Sequence, residues 1–183
     1  MTTPVPGYIA GTWDADPVHS SIGFSARHLM VSKVRGQFRS FEATFVTAPD
    51  PLASSVTVTV DTASVDTGNE TRDADVRSER FLDVERHPKM TFRSVAIRPR
   101  GEDYTMEGEL TVRGVTRPVS LDFEVNGFGP DPYGGTRAGF SARGEINRMD
   151  FEVNFNAPIP GGVMISEKIQ LEIEVEAVLR KPE

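Results

Sequence analysis

Residues 168–179 read Lys-Ile-Gln-Leu-Glu-Ile-Glu-Val-Glu-Ala-Val-Leu, so that Ile169, Leu171, Ile173, Val175, Ala177 and Leu179 alternate with Lys168, Gln170, Glu172, Glu174 and Glu176. A period of two over so long a run is a strand with one dry and one wet face. The same period recurs at Val56, Val58 and Val60, and at Val119, Leu121, Phe123 and Val125. With more interruption it runs through Ile22 to Leu29, Lys33 to Val46, Met90 to Ile97, Tyr104 to Val112 and Ala138 to Ile146. That makes about eight strands, divided by turn signals such as Ala48-Pro49-Asp50-Pro51, Arg113-Gly114 and Gly129-Pro130-Asp131-Pro132. Long alternating strands in this number predict an all-β, eight-stranded antiparallel barrel, because closure removes exposed edges.

One stretch departs from the pattern. Thr67 and Glu70 have capping-box spacing, which predicts a short helix over Asn69 to Arg80. Its apolar residues are Ala74 and Val76 alone, so it is expected to lie across one end of the barrel. The whole chain, 183 residues, reads as one domain, with residues 1–10 a flexible extension. Gly-Phe-Ser-Ala-Arg occurs at both 23–27 and 139–143, as expected of two strands that share a packing solution.

Lys and Arg total 20 against 27 Asp and Glu, and a net charge of −7 disfavours nucleic acid as a partner. The chain has no Cys, which excludes disulfides and thiolate metal sites. Met1 to Trp13 holds no Lys or Arg and no apolar run of signal-peptide length, and no later segment could span a bilayer, so the expected location is cytoplasmic.

His19, His28 and His87 are the first candidates for acid–base chemistry, but their spacing fits no metal template and no metal or cofactor is expected. His28 shares parity with Ile22, Phe24 and Ala26 and so faces the dry side near a strand end. Neither Gly-Phe-Ser-Ala-Arg segment completes a nucleophile elbow, since Arg stands where the last Gly belongs. The small residues Ala26, Ala138, Ala142 and Gly144 share faces with Phe24, Phe140 and Ile146. Such a pattern can leave an apolar void for a ligand, or be filled by large residues from across the barrel; periodicity leaves both open.

Trp13-Asp14, Asp16, His19-Ser20, Phe24 and His28, followed by Val34-Arg35-Gly36-Gln37-Phe38, resemble the opening of the YceI-like family of polyisoprenoid-binding proteins. The resemblance continues through Arg80-Phe81-Leu82-Asp83, His87-Pro88 and Phe92, then Gly108 to Thr116, and Ile146-Asn147-Arg148-Met149-Asp150-Phe151. It implies a lipocalin-like barrel whose tunnel holds an isoprenoid chain, such as a polyprenyl phosphate or quinone tail, with a polar head near one mouth. Two features depart from the family pattern: many members are exported to the periplasm, and Asp75-Val76-Arg77 stands where relatives carry a more apolar stretch.

The expected function is non-catalytic binding, transport or sequestration of a long isoprenoid lipid. Phe24, Phe92, Phe123, Phe140, Leu171 and Ile173 are assigned to the wall, and His19, Arg27, His28 and Asp83 to the polar mouth. Arg27 alternates away from Phe24 and reaches a head group only where its strand bends or ends. The alternatives are an isomerase or cyclase using the same cavity, and a filled barrel that binds protein partners; a homodimer stays open.

Overall fold

The computed structural model describes residues 5–160 and 162–182. Eight antiparallel strands pair in a closed ring: β1 (Gly11–Ala15), β4 (Phe41–Thr47), β5 (Ser55–Asp61), β7 (Lys89–Arg100), β8 (Asp103–Val112), β9 (Val115–Pro130), β10 (Thr136–Asn147) and β13 (Lys168–Leu179), which returns to β1. A second set branches from β13: β2 (Ser21–His28), β3 (Ser32–Phe38) and the two-residue β6 (Val65–Asp66). The pair β11 (Pro158–Ile159) and β12 (Gly162–Val163) stands apart. No helix among the described residues is long and apolar enough to cross a membrane.

The ring has the expected number of strands but not the expected membership. β1 is too short to show a period, and its place is set by pairing: Trp13 faces Phe45 on β4 and Leu179 on β13. The stretch Lys33 to Val46 is two strands, broken at Arg39-Ser40, where Arg39 N–H donates to Ser64 O and Asp61 N–H to Ser40 O.

β13 changes partner along its length. Gln170 to Glu174 pair with β2, whereas Ala177 to Leu179 pair with β1. At the seam Glu176 would be unpaired, and the β1–β2 connection supplies what is missing. Asp16 N–H donates to Glu176 O (2.7 Å), and Glu176 N–H donates to Ser20 Oγ (3.1 Å).

The ring is packed solid at its β1 end. Trp13 is wholly buried and its Nε1–H donates to Thr47 Oγ1 (2.9 Å), whose own hydroxyl donates to Ile9 O (2.8 Å). Phe45 stacks on Phe140 (4.5 Å between centroids), Phe123 also stacks on Phe140 (5.6 Å), and Phe128 meets both Phe140 and Trp13 edge-on. Tyr8 packs against Phe128 and donates its hydroxyl to Ala48 O (2.7 Å), so part of the N-terminal segment joins this plug. Residues 1–4 of the expected extension lie outside the described residues.

Helix α1 (Glu70–Arg77) covers the opposite end, shorter than the expected span to Arg80. Its N-cap is Asn69, whose side chain accepts from Arg72 N–H (2.9 Å), so the capping box at Thr67 is corrected. Thr67 instead donates both its N–H and its hydroxyl to buried Asp73. The helix stops because Ser78 turns the chain: Leu82, Asp83 and Val84 N–H groups donate back to Val76, Ser78 and Arg77 carbonyls.

Candidate functional site

Below the aromatic plug the barrel is hollow. An apolar cavity of about 1050 Å³ runs from Phe45, Phe123 and Phe140 to the underside of α1, at the top of the usual range for ligand sites, about 300–1,000 Å³. Its wall takes inward residues of the ring strands other than β1, and of β2 and β3, among them Val56, Val58 and Val60 of β5, Met106 and Leu110 of β8, Leu121 of β9, and Ile169 to Val175 of β13 at alternate positions. Both Gly-Phe-Ser-Ala-Arg segments contribute in the same way: they flank β13 on its two sides and present Phe24 and Ala26, Phe140 and Ala142 to the cavity. Ala138 of the same β10 face is instead sealed in the plug. The small residues thus mark a void at one level and close packing at another.

Two glycines set the positions of wall aromatics. A Cβ on Gly36 would collide with the Phe24 ring, and one on Gly108 would collide with the Phe92 ring. Each glycine lets the cross-strand ring lie flat over backbone, which keeps both phenylalanines in the wall without filling the lumen.

All six residues assigned to the wall, Phe24, Phe92, Phe123, Phe140, Leu171 and Ile173, line the cavity. Of the four assigned to the mouth, Arg27 and His28 stand at the rim, both exposed. The strand does end there, so Arg27 reaches the opening despite its outward parity. His19 and Asp83 lie elsewhere. His19 sits outside the barrel on the β1–β2 connection, its Nδ1 against Asp16 Oδ2 (2.8 Å) and Glu176 Oε2 (3.3 Å), because that connection serves the seam. Asp83 holds the turn after α1 with left-handed backbone (φ 49°) and accepts at its carbonyl from His87 N–H; its predecessors Phe81 and Leu82 face the cavity.

Asp16, His19 and Glu176 have the donor atoms of a metal site. Arg137 already fills their midst: its Nη1 lies 2.8 Å from Asp16 and 3.2 Å from Glu176, and its Nε 3.0 Å from Asp131. Its hydrogen bond, with that of His19 second, holds the Asp16 carboxyl far below the usual carboxylate range. The cluster is an ion-pair network that staples the seam.

The rim around α1 is polar, with Asn69, Thr71, Arg72, Asp75 and Arg80, and the Arg80 guanidinium lies 3.6 Å over the Phe155 ring. One cation is inside the wall. Arg148 is 5% exposed and donates to the carbonyls of Val153 (2.7 Å), Phe155 (2.8 Å) and Ser166 (2.9 Å), holding the backbone at those three residues against the barrel. Burial pulls its pKa down from the ordinary arginine value. Sequence reasoning placed Arg148 only in a motif; the clue to its work is a cation set directly before an apolar segment with few regular strand partners.

A blind-ended antiparallel barrel with an apolar lumen and a polar rim is the architecture of proteins that enclose slender hydrophobic molecules. The family model of the YceI-like domain matches residues 13–177, and the chain belongs to that family. It is 40% identical over 170 residues to a UPF0312 protein of Pectobacterium atrosepticum, covering 92% of this chain and 86% of that one. It is similar to the crystal structure of the Campylobacter jejuni YCEI protein, with 32% identity, a TM-score of 0.74, and coverage of 85% of this chain and 90% of the other. The same fold occurs in a polyisoprenoid binding domain from Saccharophagus degradans implicated in plant cell wall breakdown, at TM-score 0.70 and 13% identity, covering 94% of this chain and all of that one.

Proposed function

We propose that this protein holds one long isoprenoid lipid in its cavity, tail against the aromatic plug and head at the α1 rim, and that it sequesters or transfers this lipid without altering it. The observation that carries the reading is the lumen itself: a cavity of about 1050 Å³ walled by apolar side chains, where each buried CH₂ of a ligand contributes about 0.8 kcal/mol. A methyl-branched chain suits a wall of Val, Ile, Leu and Phe, and the Saccharophagus domain of the same fold is described as polyisoprenoid binding. Chemistry on the chain would need an acid or base within the lumen. Among the described residues, the charged and imidazole side chains that touch it are Arg27, His28, Arg72, Asp75 and Arg80 at the rim, and Arg148, which is committed to carbonyls.

The test is native mass spectrometry with organic extraction of gently purified protein, together with melting curves in the presence of a prenyl quinone. Co-purified isoprenoid, or a melting point that rises with quinone concentration, is expected, because a ligand that binds only the native state shifts unfolding by mass action. Apo mass alone with no thermal shift overturns the reading.

A further inference from the structure

The β2–β3 hairpin carries a combination found nowhere else on the described surface. Its tip, Leu29-Met30-Val31, is exposed by 40, 49 and 80%. Leu29 and Met30 hold left-handed backbone (φ 54° and 64°) while Val31 N–H closes the turn onto His28 O. Turns with positive φ at successive positions favour Asn and Gly, and large apolar side chains there are strained. Other exposed apolar residues, such as Val18, Val95 and Tyr133, are scattered singly, which is ordinary for a protein surface.

The tip also lies at the margin of the sheet. Pairing of β2 with β13 ends at Ser25, Arg27 to Leu29 then bond to Met164 to Ser166, and β3 meets β6 only at Gln37 and Phe38, so the turn at Met30-Val31 and the β3 edge from Ser32 to Gly36 border no further strand among the described residues. The tip stands beside the cavity mouth, because Leu29 N–H donates to the carbonyl of Met164, which lines the cavity, and Arg27 and His28 form the rim.

Charge supplies the third observation. No Asp or Glu occurs from Pro17 to Phe41, in a chain of net charge −7, whereas Arg27, Lys33, Arg35 and Arg39 fall within that stretch. Arg39 pairs with Asp66, but Arg27, Lys33 and Arg35 are exposed and make no ion pair among the described residues. Apolar residues at an exposed turn, ringed by unpaired cations on an otherwise acidic body, match the electrostatics and depth profile of an anionic bilayer interface.

We propose that the β2–β3 tip docks onto the surface of an anionic lipid bilayer, with Leu29, Met30 and Val31 in the interfacial layer and Arg27, Lys33 and Arg35 against lipid phosphates. Docked in this way, the cavity mouth faces the membrane. The purpose of the docking rests on the lipid-binding reading above, but the docking itself is tested separately.

The experiment is flotation of the full chain with vesicles of equal parts phosphatidylcholine and phosphatidylglycerol, and with vesicles of phosphatidylcholine alone, at low and high salt. Binding to the anionic vesicles that weakens with salt is expected, with little binding to the neutral ones. Lys33→Glu with Arg35→Glu is expected to weaken binding by roughly fivefold or more for each cation lost. Leu29→Asn with Met30→Gly is expected to weaken it roughly tenfold or more through lost apolar insertion, while the melting point stays or rises because these residues suit the turn. This second variant keeps the test informative if the charge variant folds poorly. Uptake of N-phenyl-naphthylamine into the cavity is expected to be unchanged in both. Failure of the wild type to float, equal flotation of wild type and the Leu29/Met30 variant, or a wild type that is dimeric without lipid and becomes monomeric in that variant each overturns the docking. Loss of dye uptake by every form, with flotation intact, overturns the cavity reading and leaves the docking standing.

Discussion

Arg148 shows how a single residue can cost and stabilise at once. Burying its guanidinium is unfavourable, and no carboxylate lies within ion-pair distance among the described residues. Against this, its donors satisfy the carbonyls of Val153, Phe155 and Ser166, in a segment that lacks long strand partners. Arg148→Met would recover the desolvation cost but strand one buried and two half-buried carbonyls, an unsatisfied buried group costing about 1–3 kcal/mol. The second effect is the larger, and the variant is expected to lose about 2–4 kcal/mol. Urea unfolding checks it, as a lower midpoint with little change in slope. Residues of this kind are the least visible in sequence, because a hydrogen-bond donor to distant backbone leaves no periodic trace. His19 and Asp83 illustrate the same limit. Their motif positions suggested a mouth, whereas hydrogen bonding gives them to the seam and to a turn.

At the scale of elements, β10 contains the boundary between solid and hollow barrel. Ala138 and Ala142 lie on one face of one strand, yet Ala138 contacts the plug and Ala142 lines the cavity. The same substitution at the two positions should therefore give opposite results. Ala138→Phe overpacks a closed aromatic cluster and is expected to cost about 1–3 kcal/mol or more, lowering the melting point by roughly 2–4 °C for each kcal/mol. Ala142→Phe places its ring in open space, and ligand-stripped protein is expected to melt at or above the wild-type temperature while losing at least about tenfold in prenyl-chain affinity. Paired melting curves and a quinone titration decide it; a deep loss of stability at Ala142 would mean the lumen is filled at that level. Alternation made nearly every long strand and all six wall residues legible from sequence. It could not show which inward alanines face a void, since that depends on side chains arriving from strands far along the chain.

At the scale of the molecule, closure depends on strands too short to announce themselves. β1 completes the ring with five residues, and the seam beside it is held by charges instead of by a continuous ladder. The carboxyl groups of Asp14 and Asp16 are both held low by arginines, Arg180 and Arg137 respectively. A carboxylate depressed in the folded state contributes stability that is complete above its ordinary pKa and is lost as pH falls through the folded value. Melting temperature is therefore expected to be flat near neutrality and to fall below about pH 4, the ordinary aspartate range. Arg137→Gln should lower stability near neutral pH and flatten the acid dependence, since Asp16 then titrates nearer its unfolded value. A pH series of melting curves for both proteins checks the sign: an unchanged acid slope in the variant would relieve the seam network of this role.

The plug of Trp13, Phe45, Phe128 and Phe140 also fixes the order of events in any exchange. A vessel with one opening is emptied in the reverse of the order in which it was filled. The first carbons of a guest to enter are the last to leave, and the end that stays at the lip is the end that any recipient meets first. On the lipid-binding reading proposed above, cargo does not pass through such a barrel from one side to the other, and each transfer is made by turning the same face toward a new surface.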